Sequence, residues 1–135
     1  MASRLQANPD IDYIHFTFSD LPAGVADTLE ESGLLEGVQI VGVDFSTEIG
    51  LTEIVAGRHA AWTANPKPYA GWLMVDAMAR ESLGMDNPEE RANAELPTFI
   101  VSDAETAQSI IDLGPNGWPG PETMEDQFKA LWGVG

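Results

Sequence analysis

The spacing of apolar and polar residues along the chain changes several times, and each change marks an element. Ile11 to Phe18 gathers aromatic and branched side chains in one run and predicts a strand. Ser19 and Asp20 follow as helix-start residues. Leu21, Val25 and Leu29 then recur at four-residue spacing, which predicts a helix ended by Gly33. The run from Val38 to Asp44 holds four β-branched residues (Val38, Ile40, Val41, Val43), as a strand buried on both faces of a parallel sheet would. Ser46 or Thr47 can cap a helix through Ile54 and Val55 that Gly57 closes, and His59 to Ala64 reads as a third strand.

Pro66 and Pro68 force a turn or crossing point at Asn65-Pro66-Lys67-Pro68. Tyr69 to Leu83 then predicts the longest helix, with Leu73, Met74, Ala77 and Met78 on a broad face expected to be buried. A polar loop from Asp86 to Glu95 leads to a fourth strand, Leu96 to Val101, and Ser102-Asp103 caps a helix to Leu113. Gly114 to Pro121 is too rich in glycine and proline to be regular. Pro121 suits the first turn of a last helix carrying Met124, Phe128, Leu131 and Trp132, and Gly133 ends it. The β-α-β-α-β-α-β order predicts an α/β fold: a three-layer parallel sheet with flanking helices.

The formal net charge of −16 on 135 residues narrows the partners. The six basic residues are scattered, with no cluster to neutralise phosphates, so neither nucleic acid nor an anionic membrane is an expected partner. The absence of cysteine excludes disulfides and thiolate sites. No run has the length of a membrane span, and Met1 to Gln6 leads straight into the first strand without a signal-like core, which reads as a sequence cut from something longer.

Candidate chemistry concentrates at the strand ends. In open α/β sheets, ligands collect beyond the carboxyl ends of the strands. Asp44 ends its strand there and can accept hydrogen bonds from two neighbouring hydroxyls, as a sugar presents them. Asp is also a favoured N-cap, so a capping role for Asp44 stands beside the ligand role. Catalytic motifs are missing: there is no Gly-x-Ser-x-Gly elbow, no Gly-x-x-x-x-Gly-Lys loop and no Gly-x-Gly-x-x-Gly turn. His15 and His59 lack metal-ligand spacing and read as structural or surface residues, and Glu30-Glu31 and Glu89-Glu90 read as solvated charge. No enzyme activity, cofactor or metal is expected. Trp72 and Trp132 fall on apolar helix faces and are expected in the core, whereas Trp62 and Trp118 flank turns and are open to a core role or to stacking on a sugar.

Five segments, in order, resemble periplasmic sugar-binding proteins of the ribose-binding type. Asp10-Ile11-Asp12-Tyr13-Ile14 with Phe18-Ser19-Asp20 resembles the family's strand that ends in Asn-Asp. Val41-Gly42-Val43-Asp44 is similar to its Val-Gly-Phe-Asp strand end, at the spacing from Ser19 that the pattern demands. Ile54 to Ala61 resembles its Ala-Ile-x-x-Gly-x-x-x-Ala segment. Asn65 and Gly71 stand at the family's distances, and Leu96 to Val101 resembles its closing strand. The resemblance covers residues 5 to about 103.

The resemblance implies part of a periplasmic-binding-protein-like type I fold, in which two lobes joined by three hinge strands hold a sugar between them. Residues 1–64 would belong to the C-terminal lobe, and residues 65–135 would supply the hinge crossing, the long helix, the closing strand and a tail helix. Ser19, Asp44 and Asn65 map onto sugar-contacting positions. Ser19 replaces the usual Asn, with shorter reach, and Asn65 replaces a common Gln. The implied function is the sugar-binding component of an ABC importer, extracellular or periplasmic, whose partners are a small-molecule sugar, the transporter permease and the N-terminal portion of the same protein. The alternative is the effector-binding part of a lactose-repressor-type transcription regulator, which shares these lobes. As a C-terminal fragment the chain is expected to be a homo-oligomer, because parallel-sheet edges and apolar helix faces would lack their neighbours.

Overall fold

The computed structural model describes residues 1–44, 47–89 and 95–134. The Ser46 cap and residues 90–94 of the polar loop, including Glu90, lie outside the described residues. The chain forms two compact units: residues 1–64 with 99–117, and residues 65–98 with 118–135.

The first unit is built on a four-stranded sheet in the order β1-β2-β3-β4: β1 (Tyr13–Phe16), β2 (Gln39–Gly42), β3 (Ala61–Ala64) and β4 (Phe99–Val101). β1 and β2 run parallel with Tyr13 opposite Gln39, and β2 and β3 run parallel with Gly42 opposite Trp62. The α/β expectation holds, with one correction of direction. β4 runs antiparallel to β3, with Thr63 opposite Ile100. It enters after the chain has passed through the second unit, and a strand that returns by a long excursion is free to run either way.

Helices α1 (Ala2–Ala7), α2 (Val25–Glu31), α3 (Thr52–Val55) and α5 (Ala104–Asp112) belong to this unit, with a 3₁₀ turn at Leu35–Gly37 and a π-helical turn at Thr47–Leu51. The opening residues are thus helical, where the sequence led us to expect a direct run into the first strand. Ser19 and Asp20 do not start α2. That helix begins after Gly24, and Leu21 is exposed while Ala26 and Leu29 are buried. Gly33 ends α2 as expected. Its φ of 66° lets the Leu34 amide reach back to the Leu29 carbonyl at 2.8 Å, a geometry that disfavours residues with a Cβ. Asp103 caps α5 through its carboxylate, which accepts from the Thr106 amide at 2.7 Å. The core contains Leu29, Ile40, Leu51, Ile54, Trp62, Val101 and Ile110.

The second unit pairs α4 (Lys67–Ser82) with α6 (Met124–Trp132). Trp72 stacks on Trp132 with ring centroids 5.3 Å apart and on Phe128 at 5.6 Å, but both indoles are half-buried, short of the core position the sequence predicts. The buried face of α4 is not the one the periodicity pointed to. Asp76 is buried, whereas Met74 and Met78 are 65% and 67% exposed. Residues two apart on a helix lie about 200° apart around its axis, so a helix that turns Trp72 and Asp76 to α6 turns Met74 and Met78 away.

Candidate functional site: the strand ends of the first unit

β1 and β2 are parallel neighbours in register, so the residues after them emerge at the same end of the sheet. Ser19 lies three residues beyond β1 and Asp44 two beyond β2. The structure therefore brings these two candidates to one end. Ser19 is only 7% exposed, and its hydroxyl has no hydrogen-bond partner among the described residues. The Ser19 oxygen keeps some contact with solvent, so the hydroxyl is open to a ligand as donor and as acceptor.

Asp44 is half-buried and has φ 59°, the left-handed region; no other described residue apart from glycine has a positive φ. An N-cap ordinarily has extended backbone, so this conformation differs from that of a usual capping aspartate. The Asp44 amide donates to the Thr63 hydroxyl oxygen at 3.1 Å. Thr63 lies one residue past Trp62, where the backbone ladder between β2 and β3 stops, and its side chain supplies the next acceptor. Sequence reasoning passed over Thr63. The available signal was a hydroxyl one residue from a strand end next to the Asp44 strand.

Asn65 follows β3 directly and is the first residue of the second unit. Within that unit its side-chain oxygen lies 3.2 Å from the Thr98 hydroxyl, which is also 3.1 Å from the Leu96 carbonyl. The single hydroxyl proton serves one of these acceptors at a time.

Trp62 is fully buried and belongs to the core. His59 is 5% exposed, and its Nδ1 accepts from the Trp62 indole N–H at 3.1 Å. That bond leaves the proton on Nε2, which has no partner. Burial pushes the His59 imidazole below its usual pKa, with a smaller push in the same direction from Arg58 and an opposing one from Glu53. Arg58 itself forks onto both carboxylate oxygens of Glu53 at 2.6 Å and reaches Asp27 on α2, and these carboxylates hold its pKa above the ordinary value. His59 is thus a core histidine. It stands two residues before β3, at the opposite end of the sheet from Ser19 and Asp44.

A cavity of about 380 Å³ is lined by Leu5, Asn8, Ile11, Leu34 and Val38 among others, residues that precede β1 and β2 and so lie at the opposite end from Asp44. Among the described residues no group of three or more His, Asp or Glu could hold a metal, and no helix is long and apolar enough to cross a membrane.

No protein-family model matches the sequence, and no curated protein matches it. Solved structures do. A glucose-galactose binding protein, GanP, from Geobacillus stearothermophilus aligns with TM-score 0.63 and 23% identity over 75% of this chain and 35% of its own. An ABC transporter solute-binding protein from Bradyrhizobium sp. BTAi1, solved with bound Bis-Tris, aligns with TM-score 0.57 and 21% identity over 90% of this chain and 34% of its own. The substrate-binding protein of a sugar ABC transport system from Bordetella parapertussis aligns with TM-score 0.59 and 21% identity over 87% of this chain and 38% of its own. The fold is that of ABC-transporter solute-binding proteins. This chain spans roughly a third of the length of each of these solute-binding structures.

Proposed function

We propose that the chain is the C-terminal portion of a sugar-binding protein that serves an ABC importer, with Ser19, Asp44 and Asn65 contributing to the ligand site. The reading is carried by one observation: the Ser19 hydroxyl and the Asp44 carboxylate share one end of the parallel β1–β2 pair, in a fold like that of solute-binding proteins. A carboxylate that only accepts, beside a hydroxyl that donates and accepts, suits a polyhydroxylated ligand. Three passages of the chain between its two units, at residues 64/65, 98/99 and 117/118, support the lobe-and-hinge reading. In this reading the protein works outside the cytoplasm and delivers its sugar to a transporter permease. The similar structures reported above are solute-binding proteins, which does not favour the transcription-regulator alternative.

Only part of a two-lobed site is present, so monosaccharides bind weakly. Calorimetry with ribose, xylose, galactose and inositol gives no micromolar affinity. Amide spectra recorded at high sugar concentration show shifts confined to the neighbourhoods of Ser19, Asp44 and Asn65. Micromolar binding by a monomer, or shifts at the Leu5–Val38 cavity with none at Asp44, would overturn the proposal.

A further inference from the structure

We propose that Thr63 is a positioning residue for Asp44. It holds the Asp44 backbone in the left-handed region and thereby fixes the direction in which the carboxylate leaves the end of β2. The β2–β3 ladder ends at the Gly42–Trp62 pair, and beyond it the strands have no further backbone register. The next amide to need an acceptor on this side is that of Asp44, and the Thr63 hydroxyl oxygen supplies it at 3.1 Å. An L-residue at φ 59° places its Cβ close to its own backbone oxygen, so the conformation persists only where surrounding contacts hold it. Aspartate tolerates the region better than most residues, and glycine occupies it without strain. A glycine here would satisfy the backbone and lose the carboxylate. The sequence keeps the acid and supplies a side-chain hydroxyl to hold it.

The second property of Thr63 concerns its proton. The bond to Asp44 uses the oxygen as acceptor and leaves the hydroxyl hydrogen without an acceptor among the described residues. A ligand hydroxyl can therefore accept from Thr63 while donating to Asp44, so Thr63 adds a donor to an end otherwise marked by an acceptor. This part rests on the solute-binding reading. The positioning of the backbone does not, and the experiment separates the two.

Amide exchange and the intraresidue amide–Hα NOE of Asp44, which is strong in the left-handed region, are measured without ligand in the wild-type chain and in Thr63→Val, Thr63→Ser and Thr63→Ala. Valine keeps the shape and removes the acceptor, and serine keeps the acceptor. In Thr63→Val and Thr63→Ala the Asp44 amide exchanges at least about tenfold faster and the strong NOE weakens, while Thr63→Ser behaves as wild type. The amides of Ile40 and Trp62 report that the sheet is intact, and the alanine variant stands in if the valine variant does not fold. Unchanged exchange and NOE at Asp44 in both hydroxyl-free variants would overturn the proposal, as would a serine variant that fails to restore them. Sugar titration of the wild-type chain is the separate arm. An exchange effect without any response to sugar overturns the ligand reading and leaves the positioning of Asp44 standing.

Discussion

The six-membered ring of Trp62 lies 2.4 Å from the point where a Cβ on Gly42 would stand. The two residues face each other across the β2–β3 pair, and Gly50 of the π-helical turn closes the notch, with the indole 3.0 Å from its own notional Cβ. The indole fits because neither position carries a side chain.

Gly42→Ala therefore forces the ring to move and lowers stability by about 1–3 kcal/mol, the usual range for overpacking a filled core. In a Trp62→Phe background, which makes room, the same substitution costs less. Urea unfolding of the four proteins in the cycle measures the coupling, expected to exceed roughly 0.5 kcal/mol for residues in contact. Strict additivity would show that the notch has slack.

Acid weakens the fold through His59. Its pKa is lowered in the folded protein by burial, so the unfolded chain takes up a proton at higher pH than the folded one. The His59 contribution is fully present above the unfolded value of about 6.5 and is lost as pH falls from there through the lower folded value. His59→Gln lacks this titration. Stability curves of the two proteins between neutral and mildly acidic pH should diverge, the wild type falling more steeply, and parallel curves would remove His59 as the cause.

Asp76 holds the second unit by accepting from the Trp132 indole at 2.8 Å and from Arg80 Nε at 3.0 Å. Asp76→Ala leaves a half-buried indole donor and the Arg80 guanidinium without their acceptor and is expected to lower stability by about 1–3 kcal/mol. The melting temperature measures the loss. Asp76→Asn keeps an acceptor for the indole and should lose less.

Asp44→Asn keeps a side chain tolerated at positive φ and removes the charge, whereas Asp44→Gly relieves the backbone. The expected order of stability is glycine at or above wild type by about 0.5–1 kcal/mol, asparagine level with wild type, and alanine below. In the proposed full-length parent, Asp44→Ala weakens sugar affinity by about 1–3 kcal/mol, because sugar hydroxyls are left unpaired. Unchanged affinity with a lower melting temperature would assign Asp44 to a purely structural role.

Legibility in the sequence followed how local each cause was. β2 was readable because Val38, Ile40 and Val41 exclude most alternatives within a few residues, and the α5 cap because Asp103 acts on an amide three residues away. The direction of β4 was not readable, since it depends on a return from the second unit. The face of α4 was misread because the helix carries two apolar stripes, and the Trp72–Trp132 stack chooses between them. At the site, Ser19 and Asp44 were legible as strand-end residues, while Thr63 acts across the sheet and left no local pattern. The burial of Trp62 was hidden for the same reason, as its notch is made by Gly42 and Gly50 from other elements.

The distribution of the four indoles makes the molecule its own optical reporter. Trp62 is the single tryptophan of the first unit, hydrogen-bonded to an imidazole, and its emission should respond to the protonation of that ring. Trp72 and Trp132 belong to the second unit and stack at 20° with centroids 5.3 Å apart, close enough for their excited states to mix into an exciton couplet in circular dichroism. Fluorescence in a Trp118→Phe background then follows the first unit by its pH response. The couplet follows the second, and the two signals read from one sample show whether the units unfold together or in turn.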